Sequence, residues 1–121
     1  MGEFAKAVER GIDNTFINWA NDFGDQIARR VSTSQIRNIF GSVKKMEMAG
    51  QVDLPGLLLL KPRIAYAVQR NKALGDLAKE LEAAIDAVDA VKGEKQQHER
   101  FRRFCQGFEA ILAYHRAHER K

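Results

Sequence analysis

The sequence predicts an all-α protein, a compact bundle of about five helices, and three observations carry that prediction. Only two prolines interrupt 121 residues. Ala, Leu, Glu, Lys and Arg, which lose little on entering a helix, are plentiful. Apolar residues recur at steps of three and four, with almost no alternating β-branched run of the kind a half-buried strand needs. The length suffices to bury a real core without disulfide or metal staples, so one domain spanning 1–121 is expected. A content of 45% hydrophobic and 30% charged residues is that of a folded globular chain, too apolar for a disordered one.

Taken in order, Phe4, Val8, Ile12, Phe16, Trp19, Phe23 and Ile27 form the stripe of a helix laid on a core and predict a first helix over about 4–30. Gly11 and Gly24 fall inside it and are read as local weak points. Ser32 to Gln35 is a capping box, in which the Ser hydroxyl accepts from the third amide while Gln reaches back, and Val31 with Ile36 forms a hydrophobic staple. The second helix therefore starts here, turns Ile36, Ile39, Phe40, Val43 and Met46 inward, and ends near Gly50, a residue suited to a left-handed cap.

Asp53 and Pro55 open a third helix, since proline in the first turn gives up a hydrogen bond that was missing anyway. Pro62 leaves two alternatives: a continuous helix over about 55–70 kinked by the lost bond to Leu58, or a new helix beginning near Lys61. Leu74, Leu77, Ala78, Leu81, Ile85, Val88 and Val91 give a fourth helix over 73–91 closed by Gly93. A fifth, over about 95–118, faces Phe101, Phe104, Cys105, Phe108, Ile111 and Leu112 inward. Short links between such helices fit a bundle.

Several function classes drop out at this level. The longest apolar run, Leu57 to Leu60, is far below the roughly 20 residues that cross a bilayer. Met1-Gly2 is followed by Lys6 where a myristoylation signal wants Ser or Thr, and no signal-peptide core follows, so neither anchoring nor export is expected. The lone Cys105 cannot form an internal disulfide, which fits a reducing compartment and a cytoplasmic location. No Gly-rich phosphate loop, nucleophile elbow or metalloprotease helix is present, and no arginine lies four to six residues before any of the three histidines, as the short-spaced Arg–His pairing of helical RNases would require. The expectation is a protein that is not an enzyme, with no catalytic residues, no cofactor and no small-molecule substrate.

The chain is basic, with a formal net charge of +4. The excess is localised: residues 32–71 hold six Lys or Arg against only Glu47 and Asp53. On the second helix Arg37, Lys44 and Lys45 lie opposite the apolar stripe and make one basic ridge, because steps of seven and eight return to nearly the same angle. Lys61, Arg63 and Arg70 add charge in the next helical segment. A phosphate-contacting surface and an ordinary solvated helix face explain such a ridge equally well from charge alone. Lysine and arginine follow a nucleic-acid backbone whatever its sequence. Reading bases needs exposed aromatic platforms, whereas seven of the ten aromatics are phenylalanines, most on core stripes. Backbone contact rather than base recognition is thus expected. Tyr66 and Tyr114 are read as core residues that can still offer a hydroxyl, and Trp19 as a core anchor. His115 and His118 share a helical face with Glu119, but without a second cluster they do not make a metal site, and none is expected.

Three segments resemble a known family. Ser32-Thr33-Ser34-Gln35-Ile36-Arg37-Asn38-Ile39-Phe40, then Leu59-Leu60-Lys61-Pro62-Arg63-Ile64-Ala65-Tyr66 with Arg70, then Phe108-Glu109-Ala110-Ile111-Leu112-Ala113-Tyr114-His115-Arg116 look like the signature of the small subunit of the type III-A CRISPR effector, the Csm complex. They fall in the family's order and span residues 32–116. The resemblance implies a non-catalytic helical subunit of an RNA-guided antiviral assembly, with several copies lining the effector interior and helping to hold target RNA. The partners it implies are target RNA and CRISPR guide RNA, the Csm backbone subunit, to which RNA cleavage belongs, the Cas10-type large subunit, and further copies of the same chain. By position it carries RNA contact to Arg37, Lys61, Arg63 and Arg70; Lys44 and Lys45 are added from helical geometry. Tyr114 and His115 would serve packing or subunit contact. The alternative is a purely structural helical subunit with little RNA affinity of its own.

Overall fold

A computed structural model describes residues 2–119 and is helical throughout, with no strand among them. The helices are α1 (Glu3–Arg10), α2 (Asn14–Ala28), α3 (Thr33–Met48), the single-turn α4 (Leu54–Leu58), α5 (Leu60–Arg70), α6 (Gly75–Asp89) and α7 (Glu94–Glu119), with a 3-10 turn at Lys72–Leu74 leading into α6. The all-α class is as expected; six helices of two turns or more stand where about five were expected.

The extra helix comes from splitting the predicted 4–30 helix. Gly11 adopts φ 113°, a conformation that a side chain disfavours, and Asp13 then caps a new helix by accepting from Phe16 N at 2.9 Å. The apolar stripe runs through the break, so Phe4, Val8, Phe16, Phe23 and Ile27 are all buried. Gly24 is likewise more than a weak point. A Cβ there would lie 2.8 Å from Tyr114 Cβ and 2.9 Å from His115 N, so the missing methyl is what lets α2 lie against α7.

Other boundaries follow the local chemistry. Gln35 Oε1 accepts from Ser32 N at 3.0 Å and Ser32 Oγ accepts from Gln35 N at 3.3 Å, completing the capping box, with Val31 and Ile36 both buried beneath it. Gly50 closes α3 with φ 82°, as expected, whereas Gly93, at φ 98°, lies past the Ala90 cap of α6 and instead precedes α7, its carbonyl accepting from Gln97 N at 3.1 Å. Asp53 caps α4, accepting from Gly56 N at 3.0 Å. At Pro62 the second alternative holds: α4 ends at Leu58, and Pro62 falls in the first turn of α5, where its missing N–H breaks no helical bond. Asn71 accepts from Ala73 N at 3.1 Å and so turns the chain from α5 toward α6.

α7 is the central post. α1, α2, α3 and α6 all pack on it, α1 also packs on α6, and α5 reaches the bundle through α6. Phe4, Phe16, Phe104 and Phe108 fill the centre; the Phe4 and Phe104 rings stack at 5.4 Å and the Phe40 and Phe108 rings meet edge-on at 5.1 Å. Cys105 is buried there, and burial pushes its thiol up to about 12. Because α3 rests on α7 and α5 rests on α6, the two helices stand apart with an open groove between them.

Candidate nucleic-acid interface

The groove encloses about 450 Å³ and is lined from α3 by Gln35, Asn38 and Ile39, from α5 by Arg63, Tyr66, Ala67 and Arg70, and from the following turn by Asn71 and Leu74. Ile39 and Leu74, both buried, give it an apolar floor. Its rim is two arginines, a tyrosine and three carboxamides, and none of the lining residues is acidic.

Arg63, Tyr66 and Arg70 reach the groove together because steps of three and four residues keep them on one side of α5. Arg63 spans the gap, donating to Ser42 Oγ on α3 at 2.7 Å. The Arg70 guanidinium carbon sits 5.8 Å from the centre of the Tyr66 ring, an exposed cation–π contact. Tyr66 is 65% exposed, which corrects its reading as a core residue. Tyr114, in contrast, is half-buried against Gly24 as expected.

The six cations named from sequence do not all meet here. Lys61 stands about 200° round the helix from Arg63, at 100° per residue, and forms an ion pair with Asp86 of α6 at 2.7 Å. That hydrogen bond holds the lysine's pKa above its ordinary value. Lys44 is paired with Glu47 at 3.0 Å, which raises its pKa in the same way. Arg37 and Lys45 are exposed on α3 outside the groove. Lys45, seven residues after Asn38, projects from the same side of the helix two turns further on.

Sequence reading misses the carboxamides. The local pattern marks Gln35 only as a cap and gives Asn71 no role, yet each does two things: its oxygen is held by a backbone or Ser32 donor, while its NH2 is free to serve the groove that the residue lines. The spacing of Arg63, Tyr66 and Arg70 is the signal that would have found the site.

Positive charge in α7 is used differently. Arg103 donates to Val8 O at 3.3 Å and Glu9 O at 3.0 Å, and Arg100 to Ala87 O at 2.8 Å, so both satisfy carbonyls at the ends of α1 and α6. His115 is fully buried and its Nε2–H donates to Val31 O, a packing role; His118 Nε2 bonds Asn21 Oδ1 at 2.6 Å. Among the described residues no group of three His, Cys, Asp or Glu is placed to hold a metal, and no helix is long and apolar enough to cross a membrane.

Fold and site together define a class: a small all-helical protein whose distinguishing polar feature is an open, acid-free groove edged with arginine. The family described as Csm2 Type III-A matches residues 12–121, and the chain belongs to it. It is thus a small subunit of the type III-A CRISPR effector, the Csm complex, as its three sequence segments implied. No match was found among curated proteins or among solved structures.

Proposed function

We propose that this subunit grips single-stranded target RNA, and the backbone of the guide–target duplex, inside the Csm complex without regard to sequence, and that it scaffolds the assembly without catalysing a reaction. The observation that carries the reading is the groove between α3 and α5, which Arg63 and Arg70 line from α5 on a surface free of carboxylates. Two guanidiniums at such a rim suit phosphate oxygens, and Lys45 and Arg37 extend the positive edge along α3. Lys61 and Lys44, each tied to a carboxylate, contribute less.

Scaffolding draws on a different feature. Leu59 and Met48, 63% and 78% exposed, are the apolar side chains we assign to contact with neighbouring subunits: the Csm backbone subunit, the Cas10-type large subunit or another copy. The cytoplasm, where the effector would meet its RNA, is the proposed location.

The test is fluorescence anisotropy of the full chain with an unstructured single-stranded RNA across a salt series. The double variant Arg63→Glu/Arg70→Glu should weaken binding at least tenfold. Each neutralised phosphate adds roughly 0.7 to the log–log salt slope, so the slope should become shallower by about 1.4. Both side chains are exposed, so an unchanged circular dichroism melt is expected. If the double variant binds RNA as well as the parent, the groove is not the RNA surface.

A further inference from the structure

Beyond a backbone grip, we infer that the groove between α3 and α5 is a nucleotide site that takes one base of the strand on the Tyr66 ring and favours uracil and guanine, with a keto oxygen at O4 or O6, over cytosine and adenine, with an amino group at that position. The inference rests on the RNA-binding reading above and refines it: the backbone grip accepts any sequence, and the groove superimposes a few-fold bias among bases.

The first observation is the platform. Tyr66 is the exposed member of an otherwise packed aromatic set, Arg70 steadies it at 5.8 Å, and the buried Ile39 and Leu74 beside it supply an apolar floor. A volume of about 450 Å³ is ample for one unstacked base with part of its ribose. Stacking on an aromatic ring is how single-strand binders hold bases.

The second observation is the polarity of the edge. Gln35 Oε1 is occupied by Ser32 N and by the Ser32 hydroxyl, at 3.0 and 3.1 Å, and Asn71 Oδ1 by Ala73 N at 3.1 Å. Capping therefore fills the Gln35 acceptor, takes one of the two lone pairs of Asn71 Oδ1, and leaves the NH2 groups of both amides as donors. Arg63 and Arg70 are donors only. Asn38, the Tyr66 hydroxyl and the second lone pair of Asn71 Oδ1 keep acceptor capacity, but the lining contains no carboxylate, so donors outnumber acceptors. A surface rich in donors matches the O4 of uracil or the O6 and N7 of guanine better than the amino group that cytosine or adenine carries at the corresponding position.

Uridine and cytidine nonamers isolate the point, because they carry equal charge, stack weakly and differ at the base edge. In anisotropy titrations of the full chain at low salt, the uridine strand should bind about three- to tenfold tighter, the value of one hydrogen bond made or left unmade. Tyr66→Ala should lower affinity for both strands about fivefold or more, and Tyr66→Phe should not. Gln35→Glu/Asn71→Asp keeps both caps, since a carboxylate accepts from the same backbone amides, but replaces the donors. It should erase or invert the uridine-to-cytidine ratio, a readout from which its added negative charge cancels. Uridine monophosphate at equal nucleotide concentration should compete less well than the strand; equal competition would reassign the site to free nucleotides.

Equal affinity for the two nonamers, or binding indifferent to Tyr66→Ala while Arg63→Glu/Arg70→Glu still abolishes it, overturns the base site and leaves the backbone grip standing. No binding of either strand at low salt overturns both.

Discussion

At Gly24 a single missing methyl sets the distance between two helices. The nearest atoms to a Cβ placed there include backbone of α7, at 2.9 Å, which cannot swing aside as a side-chain tip would. Gly24→Ala gains up to about 1 kcal/mol of helix propensity but forces α2 off α7. The expected net loss is about 1–3 kcal/mol, as for other overpacked cores, read as a lower urea midpoint with an unchanged slope. The two tyrosines show what was legible at this scale and what was not. Both carry a ring and a hydroxyl, and both fall near apolar stripes; Tyr114 lands on the bare backbone of Gly24, Tyr66 over a gap between helices. The difference lies in the neighbouring element, which the local pattern does not contain. Cys105 and the phenylalanine stripe of α7 were readable because burial there follows directly from a long, unbroken period.

Elements were legible where chemistry punctuates them and illegible where hydrophobic period alone was followed. Ser32 with Gln35, Asp53 with Pro55, and Gly50 each mark a boundary by local chemistry, and each boundary stands within a residue or two; Gly93, read as the close of α6, instead opens α7. The break between α1 and α2 escaped because Ile12 continues the stripe from Val8 toward Phe16; only Gly11 followed by Asp13 signalled it. That cap can be tested by itself. Asp13→Ala removes the acceptor for Phe16 N and should cost about 1 kcal/mol of stability, measured by thermal or urea unfolding, whereas Asp13→Asn should cost a few tenths of that. Pro62, compatible with two arrangements, was decided by where the preceding helix stopped. The α5 face also explains why the six cations were only partly assembled by sequence: charge counting placed Lys61 and Arg63 together, and helical geometry sends them to opposite sides.

For the whole molecule, surface charge is distributed by what the neighbouring helices already hold. Acidic α6 neutralises Lys61 through Asp86, while α3 and the turn after α5 bring carboxamides, not acids, to Arg63 and Arg70. RNA affinity should therefore respond unequally: Lys61→Ala is expected to stay within about twofold of the parent, and Asp86→Asn, which frees that lysine, to bind about two- to fivefold tighter, on the scale of a surface charge pair. Both are read by the same anisotropy titration, and a large loss in Lys61→Ala would place Lys61 on the RNA. The overall topology has a consequence of another kind. Arg103 bonds residues 94 and 95 positions away in α1, His115 reaches back 84 to Val31, and Glu119 reaches back 86 to Thr33. An up-and-down bundle condenses by pairing consecutive helices, so its rate is governed by short loops. Here α1 finds its main partners on α6 and α7 and α2 finds its own on α7, so most of the chain must be gathered before the first two helices are covered. Despite its helical content, the chain is expected to refold more slowly than an up-and-down helical bundle of its length, as stopped-flow refolding would read.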